Sequence, residues 1–179
     1  MPLIGPKDLD REAARGLSLL RKEDAVPKRK PTFAQAQLQL QLYDLRREAK
    51  LRQGREWFLK NYLVAKPEDY QRIVPPGSQE DAFVRMVTSY WEMACQMLRY
   101  GLLHEDLFFQ STNEFFFVWE RLKPLAAQWR QHMRNPHMSE NLEWAAKRYE
   151  KWAHRQAPGF LDVVRQYLNQ AASSPDTTR

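Results

Sequence analysis

Cysteine is nearly absent from this chain: of 179 residues, only Cys95 carries a thiol. A single thiol excludes an intrachain disulfide framework and the multi-thiolate zinc sites, and it suits a reducing compartment. Glycine is scarce as well, with six residues, and none falls in a phosphate-cradling loop, a nucleophile elbow or a dinucleotide-binding fingerprint. No apolar run approaches the roughly 18 residues of a membrane span, and the first residues lack a signal-peptide core. These absences predict a soluble, cytoplasmic protein with no membrane segment. What remains is 43% hydrophobic and 28% charged, the balance of one globular domain or of one domain with loose ends.

The groups that could do chemistry do not cluster. None of His104, His132, His137 and His154 has a glutamate three residues before it, and no His-Glu-x-x-His zinc motif occurs. His104-Glu105-Asp106 is the densest grouping, but adjacent helical residues diverge, so it is expected to open a helix whose dipole favours the two acids. Cys95 lies inside a periodic apolar stretch with no nearby base, as a structural thiol does. No catalytic residue, metal ligand or cofactor is assigned, and enzyme activity is the minority reading. A ligand pocket between helices stays open as an alternative, since its groups could come from distant parts of the chain.

Charge is unevenly spread. The whole excess of +6 falls within residues 1–60, while residues 78–120 are net −5 and residues 121–165 net +5. The two later stretches are expected to pack beside each other, within one chain or between chains.

Periodicity predicts an all-α protein with five or six helices in one bundle-like domain, residues 32–171, behind a flexible basic arm at 1–31 and ahead of a disordered tail at 172–179. A helix-like pattern at 7–23 is followed by the proline-punctuated stretch 21–31. Thr32 caps a helix with Leu38, Leu42, Leu45 and Ala49 on one face and Phe33, Leu40 and Tyr43 on neighbouring positions. The Leu-Gln alternation at 38–42 imitates a strand, but its flanks favour helix. One long helix or two collinear pieces are expected over 33–65, interrupted at Gly54. Pro75-Pro76-Gly77 stops any helix, Ser78 caps the next, and Gly101 ends it. Helical patterns follow at 104–123, with a kink or break at Pro124, then to Asn135-Pro136, then from a cap at Ser139, and last from Phe160.

Two sets of residues stand out as candidate contacts. The run from Phe108 to Trp119 is apolar around most of a helix, more than one buried face needs, which means a central, deeply packed helix or one that also meets a partner. Phe108, Phe109, Phe116 and Phe117 are the candidate contacts in the second case, together with Trp144 and Arg148, a cation-π pair on a second face. The leading expectation is therefore a non-enzymatic interaction module, a homodimer or an assembly subunit. Lys28, Arg29, Lys30, Arg46, Arg47 and Lys50 form the alternative, a weak polyanion contact of a nucleic-acid-associated protein.

Tyr90-Trp91-Glu92-Met93-Ala94, Arg99-Tyr100-Gly101-Leu102-Leu103, Glu105-Asp106, Val118-Trp119-Glu120, Pro124 and Arg130 together resemble a bacterial all-helical family known only as a domain of unknown function. The resemblance covers about residues 80–155. It implies an all-α fold and brings no activity, cofactor or site residue with it.

Overall fold

The computed structural model describes residues 30–173, with side chains to Leu168. The chain divides between Pro31 and Thr32, and the second unit is the one described below. The helical pattern at 7–23, the rest of the expected arm up to Arg29, and residues 174–179 lie outside the described residues.

Among the described residues there are eight helices and no strand: α1 (Phe33–Arg46), α2 (Ala49–Asn61), α3 (Pro67–Ile73), α4 (Gln79–Arg99), α5 (Glu105–Ser111), α6 (Glu114–His132), α7 (Glu140–Gln156) and α8 (Phe160–Ser173). The expected count of five or six is too low. Helices α3 and α5 have seven residues each, two turns, too short for a 3.6-residue period to stand out.

Helix α4 is the centre of the unit, packed most extensively against α2 and α7 and also touching α6. Its start is fixed by Ser78, whose hydroxyl accepts from the Asp81 N–H at 3.1 Å. Its end is fixed by Gly101, at φ +74°, which lets the Leu102 N–H turn back to the Met97 carbonyl at 2.9 Å. Between these points Phe83, Val84, Val87, Tyr90, Trp91, Ala94, Cys95 and Leu98 are buried. That stripe is wide because α4 has neighbours on several sides.

Two expected interruptions fall elsewhere. Helices α1 and α2 are indeed separate pieces, but the break is at Arg47-Glu48, where the Glu48 carboxylate accepts from the Leu51 N–H at 2.8 Å and caps α2. Gly54 continues the helix. Its missing side chain admits Phe83 of α4, whose ring would lie 3.1 Å from a Cβ placed there. Similarly, α6 runs through Pro124, which sits on its exposed side. The break in that region comes earlier, at Thr112-Asn113, and cuts the expected 104–123 helix into α5 and the first half of α6.

That cut disposes of the apparent aromatic surplus. Phe108 and Phe109 from α5, Phe115 and Phe116 from α6, and Tyr149 and Trp152 from α7 meet in one cluster. Ring centroids lie 5.3 Å apart for Phe108–Phe115, Phe109–Tyr149 and Phe115–Tyr149, and 5.7 Å apart for Tyr149–Trp152. Such contacts add stability beyond the area they bury.

Ser139 does not cap α7. At φ 55° it is left-handed and makes no capping bond, because an N-cap side chain reaches back only from an extended backbone. Glu92 of α4 takes its place, accepting from the Asn141 N–H at 3.0 Å, the Leu142 N–H at 2.8 Å and the Asn141 side-chain amide at 2.8 Å.

Gly54→Leu is expected to destabilise the fold by about 1–3 kcal/mol, the cost of overpacking a filled site. Urea denaturation checks this; a neutral result means Phe83 can move aside.

Candidate interaction surface

Glu114, the first residue of α6, is 8% exposed and lies where α1, α2, α4 and α6 come together. Arg55 of α2 donates from Nε to Oε1 at 2.6 Å, and its Nη2 donates to Oε2 in a second, closer bond. Trp91 of α4 donates from Nε1 at 3.3 Å, and Arg46 of α1 lies 3.9 Å away. The arrangement extends outward: Arg55 Nη1 donates to the Arg46 carbonyl at 3.2 Å, Arg46 to the Thr112 hydroxyl at 3.0 Å, and the Tyr90 hydroxyl to the Leu42 carbonyl at 2.7 Å. The hydrogen bond to Glu114 raises the Arg55 pKa, and burial pushes Tyr90 up to about 12. Both carboxylate oxygens carry donors, so the centre is a strut that joins helices.

The remaining buried chemistry is equally quiet. Cys95 is 0% exposed, and burial raises its thiol pKa well above the usual range. His104 caps α5, its Nδ1 accepting from the Leu107 N–H at 3.3 Å. Arg121 has Nε and Nη2 buried without a hydrogen-bond partner, and burial lowers its pKa. Among the described residues no group of three or more His, Cys, Asp or Glu could hold a metal ion, and no helix is long and apolar enough to cross a membrane.

The candidate interface residues separate into two groups. Phe108, Phe109 and Phe116 are 3%, 3% and 1% exposed, which favours the deeply packed alternative and corrects the partner-contact one: their neighbours are the rings of their own chain. Phe117 is half-buried against the same core. Trp144 and Arg148 do pair at the surface, with the guanidinium carbon 5.2 Å from the ring centroid. Arg148 also donates to Glu105 at 2.5 Å, and α6 is bound to α8 through Glu120 and Arg165 at 3.1 Å. The acidic and basic stretches therefore meet inside one chain.

The candidate polyanion residues are also split. Lys28 and Arg29 lie outside the described residues. Lys30, Arg47 and Lys50 are exposed. Arg46 is turned inward to Thr112 and Glu114, with its side chain 20% exposed, so it is withdrawn from any surface patch. A second basic surface, not singled out by the sequence, lies at the α7–α8 turn, where Lys147, Lys151, His154, Arg155 and Arg165 with Glu150 and Asp162 line an open groove.

Helix α1 differs from the others in how it is attached. Its inner face makes directional polar contacts: Gln35 donates to the Gly101 carbonyl at 3.1 Å, and Gln39 to the Leu107 carbonyl at 3.2 Å and the Ser111 hydroxyl at 2.6 Å. Leu42 is buried there and Leu38 packs on the core, but Leu45 and Ala49, expected on the same face, are exposed. Its outer face carries Phe33, Leu40 and Tyr43 at 78%, 67% and 51% exposure. The sequence held the signal for this, since Phe33, Leu40 and Tyr43 stand off the Leu38–Leu42 face. A shorter apolar stripe, Phe160, Val163 and Tyr167, is exposed on α8.

Glu114→Ala is expected to cost about 3 kcal/mol in urea denaturation, the low end for breaking a buried pair, since the Arg55 side chain keeps 18% of its exposure. A loss under about 1 kcal/mol contradicts the strut. Cys95 in the native chain is expected to react with Ellman's reagent at least about a hundredfold more slowly than in denaturant, because attack needs an accessible thiolate; similar rates would show that the α4 core opens readily.

No curated protein and no solved structure matches the chain. A family model matches residues 31–152, which takes in α1 to α6 and most of α7 and reaches further upstream than the stretch at 80–155 that carries the sequence resemblance. The chain belongs to DUF4760, a domain of unknown function.

Proposed function

We propose that this chain is a non-enzymatic interaction module that uses the outer face of α1 to bind another protein surface. One observation carries the reading: three large apolar side chains, Phe33, Leu40 and Tyr43, are exposed on a helix whose inner face holds the domain through glutamine, arginine and leucine side chains. Isolated exposed apolar residues are ordinary, but a row of them on one helix face is what helix-in-groove and helix-pairing contacts use. Supporting it, the buried acids and the thiol that could serve a reaction are taken up in structure. Glu114 and Glu92 hold helices, and Cys95 is sealed in the core with a raised pKa.

The test is site-specific photo-cross-linking in the native cells, with a photoreactive side chain at Leu40 and a control at Gln96, an exposed polar position on α4. Discrete adducts from position 40 and none from 96 are expected. Equal, diffuse labelling at both, or no adduct from 40, overturns the reading.

A further inference from the structure

We infer that the occupant of this face is a second copy of the same chain, its α1 lying antiparallel against the first across a two-fold axis near Leu38. This rests on the reading of α1 as a docking surface and names its partner. The exposed Phe33, Leu40 and Tyr43, with the half-buried Ala36 beside them, are spaced three, four and three, the seam pattern of paired helices. An isologous contact requires that where residue i meets j, j also meets i. Turning α1 end for end about Leu38 sets Phe33 against the second copy's Tyr43 and Ala36 against its Leu40. An aromatic ring then faces an aromatic ring, and a large aliphatic side chain fills the space over a small one. The same operation serves both pairs without adjustment.

Charge selects the same direction. α1 has no acidic residue in its first turn, although its N-terminus carries the positive end of the helix dipole. The antiparallel arrangement brings Asp44, exposed on the outer side, opposite Thr32 at the start of the second copy's helix. A parallel arrangement would set Asp44 against Asp44 and leave the N-termini side by side. The Tyr100-Gly101-Leu102 turn, joined to α1 through Gln35, adds two more exposed apolar side chains, Tyr100 at 73% and Leu102 at 54%, beside the first turn. A seam based on one 14-residue helix covers less than the roughly 1,200 Å² of a stable complex, so association is weak and depends on concentration.

The experiment is sedimentation velocity on the full chain between about 5 and 500 µM, the range in which a small interface self-associates. Wild type is expected to pass from monomer to dimer. Leu40→Glu should raise the dissociation constant at least about tenfold with an unchanged thermal melt. Phe33→Glu and Tyr43→Lys should each weaken association, and the double variant Phe33→Glu/Tyr43→Lys should recover it, because only the antiparallel pairing sets each new acid against a new base. A strict monomer overturns the inference, as does a dimer indifferent to Leu40→Glu, or a double variant no better than the singles. In the monomer case, the photo-adducts at Leu40 tell the two levels apart. A join to residues 1–29 of the same chain removes both this inference and the docking reading, whereas a join to a different protein removes the second copy and leaves the docking reading intact.

Discussion

A carboxylate taken out of water must find partners within reach or cost several kcal/mol, and Glu114 finds hydrogen-bond donors on two other helices and an ion-pair partner on a third. Arg55 brings α2, Trp91 brings α4 and Arg46 brings the end of α1 to one residue at the start of α6. The order of dependence runs outward from there. With α2 held against α6, Gly54 lies where Phe83 can enter. With α4 in place, Glu92 reaches the first turn of α7 and caps a helix whose own Ser139 is turned the wrong way. α7 then closes the aromatic cluster through Tyr149.

What could be read from the sequence follows from the range of each interaction. Thr32, Ser78 and Gly101 were legible as helix ends because a cap acts within about four residues. Trp144 and Arg148 were legible as a pair because positions four apart share a helix face. The Glu114–Arg55 pair spans 59 residues and the Glu92 cap 49 and 50, and nothing local marks either one. The all-α class carried over from sequence to structure, and the resemblance agrees with the family-model match over residues 31–152.

The aromatic residues between Phe108 and Trp119 mislead for a different reason. Apolar excess is judged against the circumference of one helix, and that measure assumes one helix. Once Thr112-Asn113 divides the stretch, each half buries its own face and the surplus vanishes into the core. Among the apolar side chains left at the surface are those of α1, in a run where glutamines alternate with leucines. Reading that run as a helix was correct. Its glutamines then take the inner contacts that leucines usually make.

That exchange governs how α1 separates from the rest. Beside the packing of Leu38 and Leu42, its attachment consists of side-chain hydrogen bonds: the amides of Gln35 and Gln39, the guanidinium groups of Arg46 and Arg55, and the Tyr90 hydroxyl on the Leu42 carbonyl. Lifting it uncovers Leu42 and the Tyr90, Trp91 and Phe108 side chains beside it, and heat capacity on opening scales with the apolar surface exposed. The loss of α1 is therefore expected to carry a positive heat-capacity change that is smaller than that of global unfolding. It belongs to the class of local openings that precede global unfolding, a hinge-like release at Arg47-Glu48 that leaves the α4-centred core standing.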